Sequence, residues 1–199
     1  MHVALLMVGA HNGQKQRETI LRAATHGMVI LIEPVPYLFA SLQRYYAGTS
    51  NIVCLNRCVA TQAGKVRFFA PTEDATQALP WADQLGSMSS DHAVRHEKAL
   101  AGHIVEMEMD AVTFPELVDH FGISTLDVLF TDTEGHDASL LSHFPFDRLR
   151  PNQIIFEHKH ADGTFNIGRN LGRLLIMLDE LGYNMTIVDV ENCLATLRR

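Results

Sequence analysis

Cysteine is scarce: Cys54, Cys58 and Cys193 are the only three in 199 residues. An odd number cannot pair completely. Cys54 and Cys58 fall in what reads as one strand, with side chains too far apart along it to bridge. Reduced thiols in a cytoplasmic protein are therefore expected rather than a disulfide framework. Basic residues are also short, with 16 Lys and Arg against 23 Asp and Glu, a formal charge of -7. No basic stripe is present, which argues against a nucleic-acid backbone as partner. No apolar run is long enough to span a membrane. The opening "MHVALLMVGAHNG" lacks the basic start of a signal peptide and runs straight into a glycine turn. There is one Trp, and no internal repeat or linker. One domain over residues 1–199 is expected.

What is present is a β-α-β-α-β pattern. Val3 to Val8 is a continuous apolar run, as in a strand buried on both faces. "QKQRETILRAATHG" reads as an amphipathic helix ending near Gly27, "MVILIEP" as a second strand, "YLFASLQRYYAG" as a second helix and "NIVCLNRCVA" as a third strand. This succession predicts a parallel sheet with helices on its faces. "KVRFF" and "HIVEMEMDAV" read as further strands. In the second, Val105, Met107 and Met109 alternate with acids, a half-solvated edge pattern. The polar stretch between them, about residues 71–103, is expected to be a lid-like insertion, either a functional cover or a mobile loop. His92, His96 and His103 in it are expected to be solvated. Helix and strand then alternate again through "TFPELVDHFG", "LDVLFT", "DASLLSHF", "NQIIFEH" and "NLGRLLIMLDELG". The last stretch reads as two strands around a turn at Glu191-Asn192.

The strand-turn-helix at "LMVGAHNGQ" would aim backbone N–H groups and a helix dipole at an anionic group. Neither the P-loop spacing nor G-x-G-x-x-G is there, because residue 11 is His11. Glu33 stands at the end of the second strand. In an open α/β sheet the carboxyl ends of neighbouring strands share one crevice, and a carboxylate there accepts both hydroxyls of a ribose. Turn and acid together suit a nucleoside with a nearby anionic group. NAD and S-adenosylmethionine both answer to that.

"VGAHNGQ", "LIEPVPYLFASL", "NIVCLNRCVATQAGKVRFF", "VTFPELVDHFGISTLDVLFTDTEGHDASLL" and "IIFEH" follow one another in an order that resembles the FkbM family of S-adenosylmethionine-dependent methyltransferases. The likeness covers nearly the whole chain. Met7 and His11 stand where the family usually has an acid and an Asn. The resemblance implies a class I methyltransferase Rossmann-like sandwich: a mostly parallel seven-stranded sheet, helices on both faces, and a C-terminal antiparallel hairpin. It implies S-adenosylmethionine as cofactor, with Gly9, Ala10, Gly13 and Gln14 at the methionine end and Glu33 on the ribose. Pro34, Val35, Arg57 and Cys58 would border the adenine.

Asp132 would hold the methionine amino group or orient the acceptor, and His158 is the candidate general base. Ser89, Ser90, Glu134, His136, Glu157 and His160 are candidate contacts to the acceptor. His158 and His160 would share a face if their strand persists. No resident metal is expected; a site of Asp132, His136, His158 and His160 is the rival. The expected reaction is O-methylation of a small metabolite, sugar (a glycan acceptor included) or polyketide-like molecule. A non-catalytic nucleoside- or partner-binding module on the same fold and a nicotinamide-dependent oxidoreductase are the alternatives.

Overall fold

In the computed structural model, which describes residues 1–198, two sheets and seven α-helices form around the expected pattern. Strand β1 (His2–Val8) leads to α1 (Arg17–Ala24), β2 (Met28–Ile32), α2 (Pro36–Tyr45) and β3 (Ile52–Leu55). β4 (Cys58–Val59) and β5 (Gly64–Pro71) come next, then α3 (Ala75–Ala78) and α4 (His92–His96), then β6 (Ile104–Val112). The rest is α5 (Phe114–Phe121), β7 (Thr125–Thr131), α6 (Asp137–Ser142), β8 (Gln153–Glu157), α7 (Arg169–Glu180), β9 (Tyr183–Ile187) and β10 (Asn192–Leu197).

The main sheet has seven strands in the order β3-β2-β1-β7-β8-β10-β9. β10 pairs antiparallel with both of its neighbours, and the other pairs are parallel. Buried apolar side chains on both faces of β1 explain why helices cover both. A shift of register between Val3 and Leu5 sets which side chain faces which layer. Leu5 and Met7 pack with Ile20 of α1 and Leu42 of α2. Val3, Leu6 and Val8 pack with Phe114 and Leu117 of α5, Leu141 of α6 and Leu174 of α7. Local signals fix the ends. Thr113 and Glu116 form a reciprocal capping box at the start of α5, and Gly122 closes it in the left-handed region.

Three readings of the sequence change. "NIVCLNRCVA" is two strands, not one. Asn56 interrupts it by donating its side-chain N–H groups to the carbonyls of Glu33 and Pro34. Cys54 therefore lies in the main sheet and Cys58 in a second, three-stranded sheet ordered β4-β6-β5. β6 is the central strand of that small sheet. Its alternation marks one packed face and one solvated face: Met107, Met109 and Ala111 join the apolar cluster, while Glu106 and Glu108 pair outward with Arg67 and Lys65. The last hairpin turns through residues 188–191, where Asp189 accepts the N–H groups of Glu191 and Asn192.

Residues 72–103 are folded rather than loose. Short helical turns gather Ala75, Ala82, Leu85, Ala93 and Leu100 into a small apolar cluster of their own. The segment is tied back by Ser87, whose backbone pairs with Phe69 and whose hydroxyl donates to the Glu134 carbonyl. Among the described residues no helix is long and apolar enough to cross a membrane.

Candidate functional site: a cofactor cleft and an acid-histidine recess

The turn after β1 is built on glycine for steric reasons. Gly9 has φ +81°, and a Cβ there would lie 1.9 Å from the carbonyl oxygen of Asp132. No side chain fits that gap, so Gly9 lets the ends of β1 and β7 meet. Gly13 has φ +72°, and its Cβ would strike Tyr46, whose hydroxyl donates to the Gly13 carbonyl. The N–H groups of Gly9 and Ala10 both donate to the carbonyl of Ile32. They hold the turn against β2 and are not free to receive an anion, contrary to the expectation from the sequence.

Glu33 follows β2 and is 4% exposed. Its Oε2 accepts the N–H of His11 and its Oε1 the N–H of Val35, each at 2.8 Å. Burial pushes its pKa up to about 7, although both N–H groups pull the other way. Each oxygen keeps a further lone pair for a ligand.

Glu33 forms part of the wall of a cleft of about 320 Å³. Gly9, Gln14, Pro34, Val35, Arg57 and Cys58 line it, while Ala10 and Gly13 sit behind the turn and shape it. Sequence reasoning missed the rest of the wall: Leu38, Phe68 and Met88 give an apolar side, and Asp83, Gln84 and Lys15 a polar rim. The signal was faint, since Phe68 and Met88 come from the small sheet and the insertion. His11 takes φ +52°, a left-handed position uncommon for non-glycine residues, in which Asn, Asp and His are enriched. Its Nε2 lies 3.3 Å from Asp83 Oδ2.

Asp132 and Glu134 line this cleft and also a second recess of about 480 Å³. Glu157, Lys159, His160 and Glu191 form the far wall of that recess. Acids dominate it. Burial, aided by Glu134 and Asp137, pushes Asp132 up to about 8. Glu134 and Glu157 are also pushed up, first by burial and then by neighbouring carboxylates. The nearby cation Lys159 is paired with Glu191 at 2.6 Å.

Other expected residues fall elsewhere. β8 ends at Glu157, so His158 and His160 do not share a strand face. His158 lies against the β9–β10 turn, with its Nε2 3.4 Å from the Asp189 carbonyl, and it lines neither recess. His136 is the N-cap of α6, its Nδ1 buried and unpartnered. Ser90 is exposed, and Ser89 bonds to Asp91 and to Ser87. His92 and His96, expected to be solvated, are turned inward. His92 is 1% exposed and stacks near His96 and His160. The spacing in "HAVRH" puts both on one helix face, though it does not say which way that face turns.

A seven-stranded sheet with β10 reversed, and a cleft over the ends of β1, β2 and β7, define a methyltransferase fold. The chain matches the Methyltransferase FkbM domain over residues 8–185 and belongs to that family. This family and fold make S-adenosylmethionine the cofactor and set the oxidoreductase alternative aside. Among curated proteins none matches the chain. Solved structures resemble it at low identity. An FkbM methyltransferase from Methylobacillus flagellatus KT is 14% identical with a TM-score of 0.54; the match covers 98% of this chain and 44% of that one. The Methanococcus jannaschii fibrillarin pre-rRNA processing protein is 12% identical with a TM-score of 0.51, covering 97% and 65%. Precorrin-6y C5,15-methyltransferase from Geobacter metallireducens GS-15 is 10% identical with a TM-score of 0.50, covering 98% and 79%. The chain thus spans less than half of the FkbM structure.

The residues of the cleft fit this cofactor. A buried carboxylate with free lone pairs suits two ribose hydroxyls, and the apolar wall of Val35, Leu38 and Phe68 suits a flat base.

Proposed function

We propose that this chain methylates a hydroxyl group of a small metabolite, a sugar or a polyketide-like acceptor. The observation that carries the reading is the continuity of the two recesses: Asp132 and Glu134 border both. One recess has the apolar wall and ribose acid of a nucleoside site, and the other is lined by hydrogen-bonding groups suited to hydroxyls. S-adenosylmethionine supplies, when bound, an electrophilic methyl group on sulfur.

The chain's residues then have separate tasks. Glu33 accepts the ribose hydroxyls. Pro34, Val35, Arg57 and Cys58 border the base. Gly9, Ala10, Gly13 and Gln14 form the turn beside the methionine end. Asp132, at the seam, accepts a hydrogen bond from the acceptor hydroxyl, orients its oxygen for in-line attack and takes up its proton as the new O–C bond forms. Glu157 and His160 line the acceptor side. His158, just after β8, lies against the β9–β10 turn and lines neither recess, so the role of base falls to Asp132 as well. Cys54, Cys58 and Cys193 are all free, which supports a reducing, cytoplasmic setting.

Calorimetry with S-adenosylmethionine, its demethylated product and NAD tests the cofactor part. A mass-spectrometric screen of hydroxylated acceptors tests the reaction. Preferential binding of NAD would overturn the first, and cofactor binding with no methylated product across sugars and secondary metabolites would favour a non-catalytic module.

A further inference from the structure

The structure assigns a divalent transition-metal site to His92 and His96 of α4 and Glu134 after β7, at the edge of the acceptor recess. One ligating atom from each of these residues, and one from His160, lie within 4.8 Å of one another. His92 and His96 are successive turns of one helix face, the spacing at which two imidazoles can share an ion. His96 Nε2 is buried and has no hydrogen-bond partner. His92 Nδ1 is 2.9 Å from the Thr164 hydroxyl, and its Nε2 is 2.6 Å from Glu134 Oε2. A His that bonds an outer partner through one ring nitrogen presents the other as a ligand. Glu134 itself is held with φ +51° and its carbonyl on Ser87, an uncommon backbone for a non-glycine residue.

His160 has a different task. Its Nδ1 accepts the N–H of Phe165 at 2.7 Å, so Nε2 carries the hydrogen. That hydrogen points towards Glu157 Oε1 at 3.5 Å and Glu134 Oε2 at 3.9 Å. His160 therefore braces the carboxylates beside the ion. Two imidazoles and one carboxylate leave coordination positions open towards the recess that His96, Glu134 and Glu157 line. Imidazole with carboxylate selects Zn²⁺, Mn²⁺ or Fe²⁺ rather than Ca²⁺. The surroundings favour a cation, with Asp132, Asp137, Glu157 and Glu191 near and only Lys15 and Lys159 to balance them.

The site stands on this geometry alone. Its use, to polarise an acceptor hydroxyl, rests on the proposed reaction. It also replaces the metal-free expectation and its rival set, since His136 and His158 do not join the cluster.

The test uses the full chain with any affinity tag removed, stripped with a chelator and titrated with Co²⁺ and with Zn²⁺. One ion per chain is expected, with visible cobalt bands of a nitrogen- and oxygen-ligated centre. His96→Ala and Glu134→Gln should each weaken binding by more than about a hundredfold, because even an outer-shell loss costs roughly ten- to a hundredfold. Circular-dichroism melts check that both variants fold. His103→Ala, also in the insertion, should bind as the wild type does. Absence of a stoichiometric ion in the wild type would overturn the assignment, as would unchanged binding in folded His96→Ala and Glu134→Gln proteins. Neither readout involves methyl transfer, so failure here is separable from failure of the proposed reaction.

Discussion

Replacing Glu33 with Gln should move stability and cofactor affinity in opposite directions as pH changes. The carboxylate accepts two backbone N–H groups, from His11 and Val35. Gln keeps the size but turns an NH₂ towards one of them. A buried donor left unsatisfied costs about 1–3 kcal/mol, so at pH 5 the variant should be the less stable protein. The native pKa near 7 lies above the ordinary value of 4.5. Between these values the folded protein retains a proton that the unfolded chain has released. Wild-type stability therefore falls as pH rises from about 4.5 to 7 and levels off above, by about 3 kcal/mol from this one group. Gln has no such slope. The stability gap should close or reverse by pH 8.

Cofactor binding goes the other way. The ionised carboxylate is the better acceptor for ribose hydroxyls, so wild-type affinity for the demethylated product should rise through pH 7. At pH 8 the variant should bind about ten- to a hundredfold more weakly, from about 1.5–3 kcal/mol for hydrogen bonds to a charged group. Urea unfolding and calorimetry at pH 5, 6.5 and 8 read both effects. The same pH slope in variant and wild type, or equal affinities at pH 8, would refute the assignment.

Gly9→Ala should abolish cofactor binding and lower the melting temperature by several degrees, because its Cβ meets the Asp132 backbone at 1.9 Å; a wild-type melt and titration would contradict this. His11→Asn should change stability by less than about 1 kcal/mol in urea unfolding, because both residues tolerate the left-handed φ of +52° and only the contact with Asp83 is lost; a larger change would show that the turn depends on the imidazole. Asp132→Asn should lower methyl transfer at least about a hundredfold through misplaced reacting atoms, with unfolding by urea little changed; full activity would put the chemistry elsewhere.

The legible parts of this protein are those that local chemistry decides. Continuous apolar runs gave β1 and β2 and "TFPELVDHFG" read as α5, whose capping box and closing glycine the structure then showed, because capping and burial act over a few residues. Gly9 and Glu33 were readable for the same reason: each ends a strand whose place in the sheet follows from the β-α-β order. The break at Asn56 was not readable, because its cause is two carbonyls of a neighbouring strand end that accept its side-chain N–H groups. The second recess shows the limit most clearly. His92 and His96 carried a helical spacing in the sequence, but only four residues of helix periodicity in a polar segment, and nothing local tells a solvated pair from an inward one. What turns them inward is distant: Thr164, Phe165 and His160 after β8, and Glu134 after β7. A cofactor turn can be read from one stretch of chain, because strand, glycine and acid lie in order along it. A cluster assembled from two crossovers and an insertion exists only once the sheet has brought their loops to the same edge.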